Sequence, residues 1–346
     1  MKFKFLSALS VAGALAIFAC AHHAEAQPKT PPTFPTPSAF PAPSATPTFP
    51  TPQAIPPANS PDSAFAQYQL GNYATAFREA TRNVEQSSDA SSMTLLGELY
   101  AEGLGIPRDD KKAADWYKLA AARGDTQGTF ALAMFRLTGR GGPADKPEGA
   151  RLLGEAAKRG HPVAAYDLAL LCLEGITVPR DEKRAAELMR MAASAGSPEA
   201  QYALATFYKD GKGVEQNLAE AARLLGAAAS AGHAESEVEY GIALFNGTGI
   251  AKDESGALGY FLKAAQKGNP AAQNRLAWMY ANGRGITKDP VEAARWHLIA
   301  RAGGDNDPFL ENFMQDMKPA DRELAESKAK AWIARLQAAS PATAKP

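Results

Sequence analysis

The sequence predicts an all-α chain, an α-solenoid of stacked antiparallel helix pairs in 36-residue repeats. Three observations carry that expectation. Glycine returns in two columns with a period of 36 and no slippage: Gly103, Gly139, Gly175, Gly211, Gly247 and Gly283 in one, Gly124, Gly160, Gly196, Gly232, Gly268 and Gly304 in the other. The runs between these glycines carry apolar residues at i, i+3/i+4 and i+7, the spacing of an amphipathic helix. Helix formers dominate after residue 62, and β-branched runs of period two are absent. A period of roughly 20–50 residues marks units that bury their apolar faces only by stacking on one another.

In chain order, residues 1–26 read as a secretory signal peptide. Lys2 and Lys4 precede an apolar stretch from Phe5 to Cys20, and Ala24-Glu25-Ala26 places small residues before a cleavage at Gln27. Two rivals stay open. Ile17-Phe18-Ala19-Cys20 is a degenerate lipobox that would leave Cys20 as a lipidated N-terminus, although Phe18 fits it poorly, and the stretch could remain as an uncleaved anchor. Residues 27–61 hold thirteen prolines, in phrases such as Thr33-Phe34-Pro35-Thr36-Pro37. Proline at that density blocks helix and sheet and favours extended polyproline II, so this is a proline-rich disordered linker acting as a spacer. The alternative is a docking segment anchored by Phe34, Phe40 and Phe49.

Residues 62–90 hold a shorter divergent repeat, with Leu70-Gly71-Asn72-Tyr73, Ala76, Phe77 and Ala80, which reads as the N-terminal cap. Six full repeats come next, over residues 91–306. In the fourth, Ser197-Pro198 opens a helix carrying Ala200, Leu204, Ala205 and Tyr208, closed by Gly211. Asn217 then opens a second helix with Ala221, Ala222, Leu224, Leu225, Ala228 and Ala229, closed by Gly232. A glycine just past the last turn releases the chain through the left-handed conformation. Asn217 with Glu220, Asp145 with Glu148, and Asp289 with Glu292 have the spacing of a capping box. Pro162, Pro198, Pro270 and Pro290 mark first helical positions. Down the columns, Ser92, Gly128, Ala164, Ala200, Ser236 and Ala272 are small. Leu96, Leu132, Leu168, Leu204, Tyr240 and Leu276 are large, and Gly97, Ala133, Ala169, Ala205, Gly241 and Ala277 are small again, a pattern that lets helix backbones approach closely. Residues 307–338 read as C-terminal capping helices, the first presenting Phe309, Phe313 and Met317, the second Leu324, Ala329, Trp332 and Leu336, with 339–346 as a tail.

The pattern Ala-x-x-x-Leu-Ala-x-x-Tyr-x-x-Gly-x-Gly, then Asp/Asn, Ala-Ala and a closing Ala-Ala-x-x-Gly, resembles the Sel-one-like repeat of the tetratricopeptide superfamily. Leu95 to Gly105 lies close to it, and the resemblance covers Ala90 to Asp305. It implies a right-handed superhelix whose first helices line a concave, partner-binding surface. Thr177 departs from it in place of the second loop glycine, so that loop is expected to take another course. Ala243-Leu244 and Gly256 depart in the fifth repeat, which is expected to be the least stable.

Little in the chain points to chemistry. Lys+Arg and Asp+Glu are both 37, a net charge of zero, whereas a nucleic-acid surface needs a clustered basic excess. Of the five histidines, His22 and His23 fall in the signal peptide. His161 and His233 stand at a surface helix-start slot, and His297 beside Trp296 as a packing or surface residue. Cys172 takes the slot of Tyr100, Tyr208 and Tyr280 and reads as a small buried residue. No HExxH, GxSxG or Walker loop occurs, so no catalytic residue, metal or cofactor is assigned.

A partner surface is easier to place. On the first helices one column reads Thr94, Phe130, Tyr166, Tyr202, Val238 and Asn274, and the next turn Glu98, Met134, Leu170, Thr206, Ile242 and Trp278. The turn beyond includes Lys209 and Phe245. Phe130, Met134, Tyr166, Leu170, Tyr202, Thr206, Lys209 and Trp278 are the candidate partner-binding residues, which either pack on the next repeat or anchor a peptide. The expected function is a non-catalytic adaptor exported to the bacterial envelope, periplasmic or anchored at Cys20, that binds a protein or peptide. A cell-wall saccharide or peptidoglycan binder is the alternative, and a hydrolase the third.

Overall fold

The computed structural model describes the backbone of residues 61–339 and the side chains of 63–336. The expected signal peptide and most of the proline-rich linker lie outside the described residues. Sixteen helices run through the described residues, with no strand among them: α1 (Pro61–Gln69), α2 (Tyr73–Ser87), α3 (Ala90–Glu102), α4 (Asp110–Ala122), α5 (Thr126–Thr138), α6 (Lys146–Lys158), α7 (Pro162–Glu174), α8 (Glu182–Ser194), α9 (Pro198–Asp210), α10 (Leu218–Ser230), α11 (Ala234–Asn246), α12 (Glu254–Gln266), α13 (Pro270–Asn282), α14 (Pro290–Ala302), α15 (Pro308–Gln315) and α16 (Pro319–Ala339). The fold is an all-α solenoid, each repeat an odd-numbered first helix and then an even-numbered second one. The chain divides into two compact units at Leu152/Leu153, inside α6.

In the first unit each helix from α1 to α5 packs on its neighbours in sequence. Ala64, Ala76 and Ala80 of the first pair are buried against Leu95, Leu96 and Leu99 of α3. In the second unit the same succession runs from α7 to α14, and α15 and α16 close on α14. The column of small residues is matched to its partner helix. The Tyr117 ring lies over Gly97 and the Phe261 ring over Gly241, where in each case a Cβ would overlap the ring. The Gly241 of the divergent fifth repeat is thus fitted to the bulky Phe261.

Helix starts are built as the sequence suggests, with one correction. Asn217 Oδ1 accepts the Glu220 N–H at 3.0 Å, and Asp145 and Asp289 accept those of Glu148 and Glu292. The glutamates do not complete the box. The N–H of Asn217 is already donated to the Tyr208 carbonyl at 2.9 Å, and those of Asp145 and Asp289 to Arg136 and Tyr280. The glutamates turn outward to Arg151, Arg223 and Arg295, one turn along. On the C-terminal helices Phe313, Met317, Ala329 and Trp332 pack as expected, but the outer members of each set do not. Leu310 and Met314 are buried on α15 while Phe309 is exposed, and Ala325 and Ala329 are buried on α16 while Leu324 and Leu336 are exposed. Alanines let α16 lie close on α14, where the Trp332 ring meets that of Trp296 edge-on at 5.8 Å.

Two glycines show the two jobs that the ladders do. Gly232 (φ +87°) ends α10, and a Cβ there would meet nothing. It is needed for its backbone conformation alone, while His233 N–H closes the turn on the Ala228 carbonyl at 3.0 Å. Gly249 (φ +72°) has a second task, because a Cβ there would overlap the Leu218 carbonyl at the start of the preceding second helix. Thr177, at the equivalent place in its repeat, is outside the positive-φ region, so that loop does take another backbone course. Loop arginines reinforce the joint: Arg140 donates to Asp110 (2.8 Å) and to the Ala101 carbonyl (2.9 Å), and Arg284 pairs with Glu254.

Both glycine substitutions carry the left-handed cost of about 1–2 kcal/mol, and the overlap at Gly249 adds about 1–3 kcal/mol of overpacking. Urea unfolding should therefore find Gly249→Ala the more destabilised of the two, and equal losses would show that the loop does not seat on α10. The guanidiniums of Arg108 and then Arg140 hold the Asp110 carboxyl down at about 2. Its folded value lies below the unfolded one, so its stabilisation is complete above about pH 4 and is lost as pH falls towards 2. Asp110→Asn should lower the melting temperature at pH 7, with the gap to wild type narrowing at pH 2.5.

Candidate partner-binding face

The first helices project their unshared residues onto one face of each unit. Phe130 and Met134 of α5 belong to the first unit. Tyr166 and Leu170 of α7, Tyr202, Thr206 and Lys209 of α9, and Trp278 of α13 belong to the second. Lys209 is exposed and the other seven are half-buried.

The column containing Tyr202 has a structural task. Thr94 Oγ1 donates to Asp125 Oδ1 at 2.7 Å, the Tyr202 ring lies on the His233 ring at 5.0 Å, and Asn274 Nδ2 donates to Asp305 Oδ1 at 3.1 Å. Asp125 and His233 are the N-caps of the next first helix, and Asp305, at the same interval, ends the last repeat. Each of these column residues therefore clamps the segment that begins the next repeat or the C-terminal helices. Burial, then the Glu239 and Glu235 carboxylates, push the Tyr202 phenol up. His161 and His233 are corrected from surface residues to half-buried caps, whose Nδ1 atoms accept the N–H of Ala164 (3.1 Å) and Ser236 (3.3 Å).

The next turn is less consumed. Leu170, Thr206, Ile242 and Trp278 stay half-covered. Lys209 Nζ reaches Glu239 at 3.1 Å, linking α9 to α11. Between α11 and α13 a pocket of about 200 Å³ opens, lined by Ile242, Phe245, Asn246, Phe261, Arg275, Trp278 and Met279. Phe245 and Trp278 meet edge-to-face at 5.9 Å, and the Arg284 guanidinium lies 5.5 Å from the Phe245 ring. Of the pocket residues, only Trp278 is among the eight expected from the sequence. Phe245 stood in the third column, while Arg275 was missed because it stands one residue off the column of Asn274. A larger cleft of about 460 Å³ is lined by Tyr240, Tyr260, Gly226 and Arg223, among others, and includes no predicted residue.

Among the described residues no group of three metal-ligating side chains occurs. His297 is fully buried beside Glu311, and the Arg301–Glu311 pair at 2.8 Å ties α14 to α15. The Cys172 thiol is buried and pushed up by that burial, which disfavours the reactive thiolate.

Known proteins share this repeat architecture. The family profile described as Sel1 repeat matches six consecutive stretches, 90–125, 126–161, 162–197, 198–233, 234–269 and 270–305. The crystal structure of a Sel1 repeat protein from Oxalobacter formigenes is similar over 69% of this chain and 95% of its own, at 26% identity and a TM-score of 0.55. That of c5321, described as a protective antigen of uropathogenic Escherichia coli with an SLR fold, is similar over 82% of this chain and 73% of its own, at 25% identity and a TM-score of 0.51. No curated protein matches.

The clamp is measurable as a coupling. In a double-mutant cycle, Thr94→Val and Asp125→Ala should couple by about 0.5–1.5 kcal/mol, the worth of one hydrogen bond. Additive losses in chemical denaturation would show that the contact carries no energy.

Proposed function

Because the chain belongs to the Sel1 repeat family, we propose that it is a non-catalytic adaptor, exported to the cell envelope, that grips a protein partner on the first-helix face of its second unit. One observation carries the reading. The row Leu170, Thr206, Ile242 and Trp278 is left half-covered by the packing of the repeats, with a side-chain-sized pocket at its end. Aromatic residues set in such a depression are the usual centres of binding energy. The backbone beneath them is held by caps and loop seats, so little ordering cost attends binding. Residues 1–26 supply the export signal in this reading, and the proline-rich stretch to 61 is the spacer.

A photo-crosslinking residue placed at Thr206 or Ile242 of the full chain should capture one discrete protein in intact cells, and the same residue at the exposed Glu187 on α8 should not. Identical products from all three sites, or products only with peptidoglycan, would defeat the proposal. Mass spectrometry of the mature chain should find Gln27 at its N-terminus, and a lipidated Cys20 would move the protein to a membrane anchor.

A further inference from the structure

We propose that the pocket between α11 and α13 takes a bulky apolar side chain of an acidic peptide, with Arg275 receiving the carboxylate of an adjacent Asp or Glu. The proposal rests on the partner-binding reading of the first-helix face and specifies what that face selects.

The pocket's floor is Phe261 and Met279, each 1% exposed, and its walls are Ile242, Phe245 and Trp278. At about 200 Å³ it falls below the roughly 300–1,000 Å³ of small-molecule sites and holds one side chain. The walls are pre-set. Trp278 rests edge-on against Phe245, and Arg284, tied to Glu254, lies against both rings. Two polar residues complete the lining, Asn246 and Arg275. Arg275 is exposed, and its guanidinium makes no hydrogen bond, ion pair or ring contact with the described residues. Glu239, at the equivalent position of the preceding first helix, is paired with Lys209. A planar, uncompensated guanidinium at the rim of an apolar pocket is the complement of a carboxylate beside an apolar side chain. The chain's own proline-rich segment does not meet that description, because residues 27–61 contain no Asp or Glu beside Phe34, Phe40 or Phe49.

The test titrates the full chain with peptides acetylated and amidated at their ends, each a Gly-Ser frame with a central Phe flanked by Glu, Ser or Lys, and monitors binding by calorimetry. The Glu-flanked peptide should bind at least about tenfold more tightly than the Lys-flanked one, as a charge-assisted contact predicts. Arg275→Gln should erase that ratio yet keep the binding of the Ser-flanked peptide, and Trp278→Ala should abolish all binding. Arg275 is exposed, so an unchanged melting temperature verifies that its variant is folded. Equal affinities for the Glu and Lys peptides, or an unchanged ratio in Arg275→Gln, would overturn the proposal and leave the partner-binding face standing. Binding that requires a free C-terminal carboxylate would also overturn it, as would self-association weakened by Arg275→Gln, which assigns the pocket to a second copy. Failure of every peptide together with no crosslink from Thr206 would remove both readings.

Discussion

The seat of a loop glycine on the backbone of the preceding repeat is the contact on which the rest depends. At Gly249 the absent Cβ lets the loop rest on the carbonyl of Leu218, and the same approach recurs at Gly213 on Glu182 and at Gly285 on Glu254. That contact joins backbone to backbone, so it sets how far apart successive hairpins stand whatever their side chains. The step recurs at each loop that carries this glycine, while the Thr177 loop takes another course. Tyr117 and Phe261 cover the glycines of their hairpins, and loop arginines reach acids thirty residues back. A methyl group at the seat would act on all of these together.

Helix starts form the second set of joints. An N-cap side chain ordinarily serves its own helix. Here, at Asp125 and His233, it is also an attachment point for the repeat before it, through Thr94 and Tyr202. The N–H of each second-helix cap is likewise spent on the first helix of its hairpin, which is why the expected capping boxes are half made and their glutamates are freed for surface arginines. Polar residues thus add joints between repeats beside the apolar core that runs through them. The surface left for a partner is the part of the first helices that these joints do not use.

Period, helix limits, caps and family were legible in the chain, because each is written in residues close together in sequence. A left-handed glycine, a proline at a first helical position and an Asp or Asn before an apolar run act within one turn, and repetition multiplies the signal six times. The division of the first-helix aromatics into clamps and free surface was not legible, since the column of Tyr202 and the next turn with Trp278 look alike until the neighbouring repeat is in place. The face of α16 was legible only in part: Ala329 and Trp332 pack inward as expected, while Leu324 and Leu336 are left in water. The pocket and its uncompensated Arg275 were hidden for the same reason. Local backbone chemistry determined the hairpins and their order, while only packing between hairpins decided which side chains are covered, because coverage depends on atoms brought together from repeats far apart in the sequence.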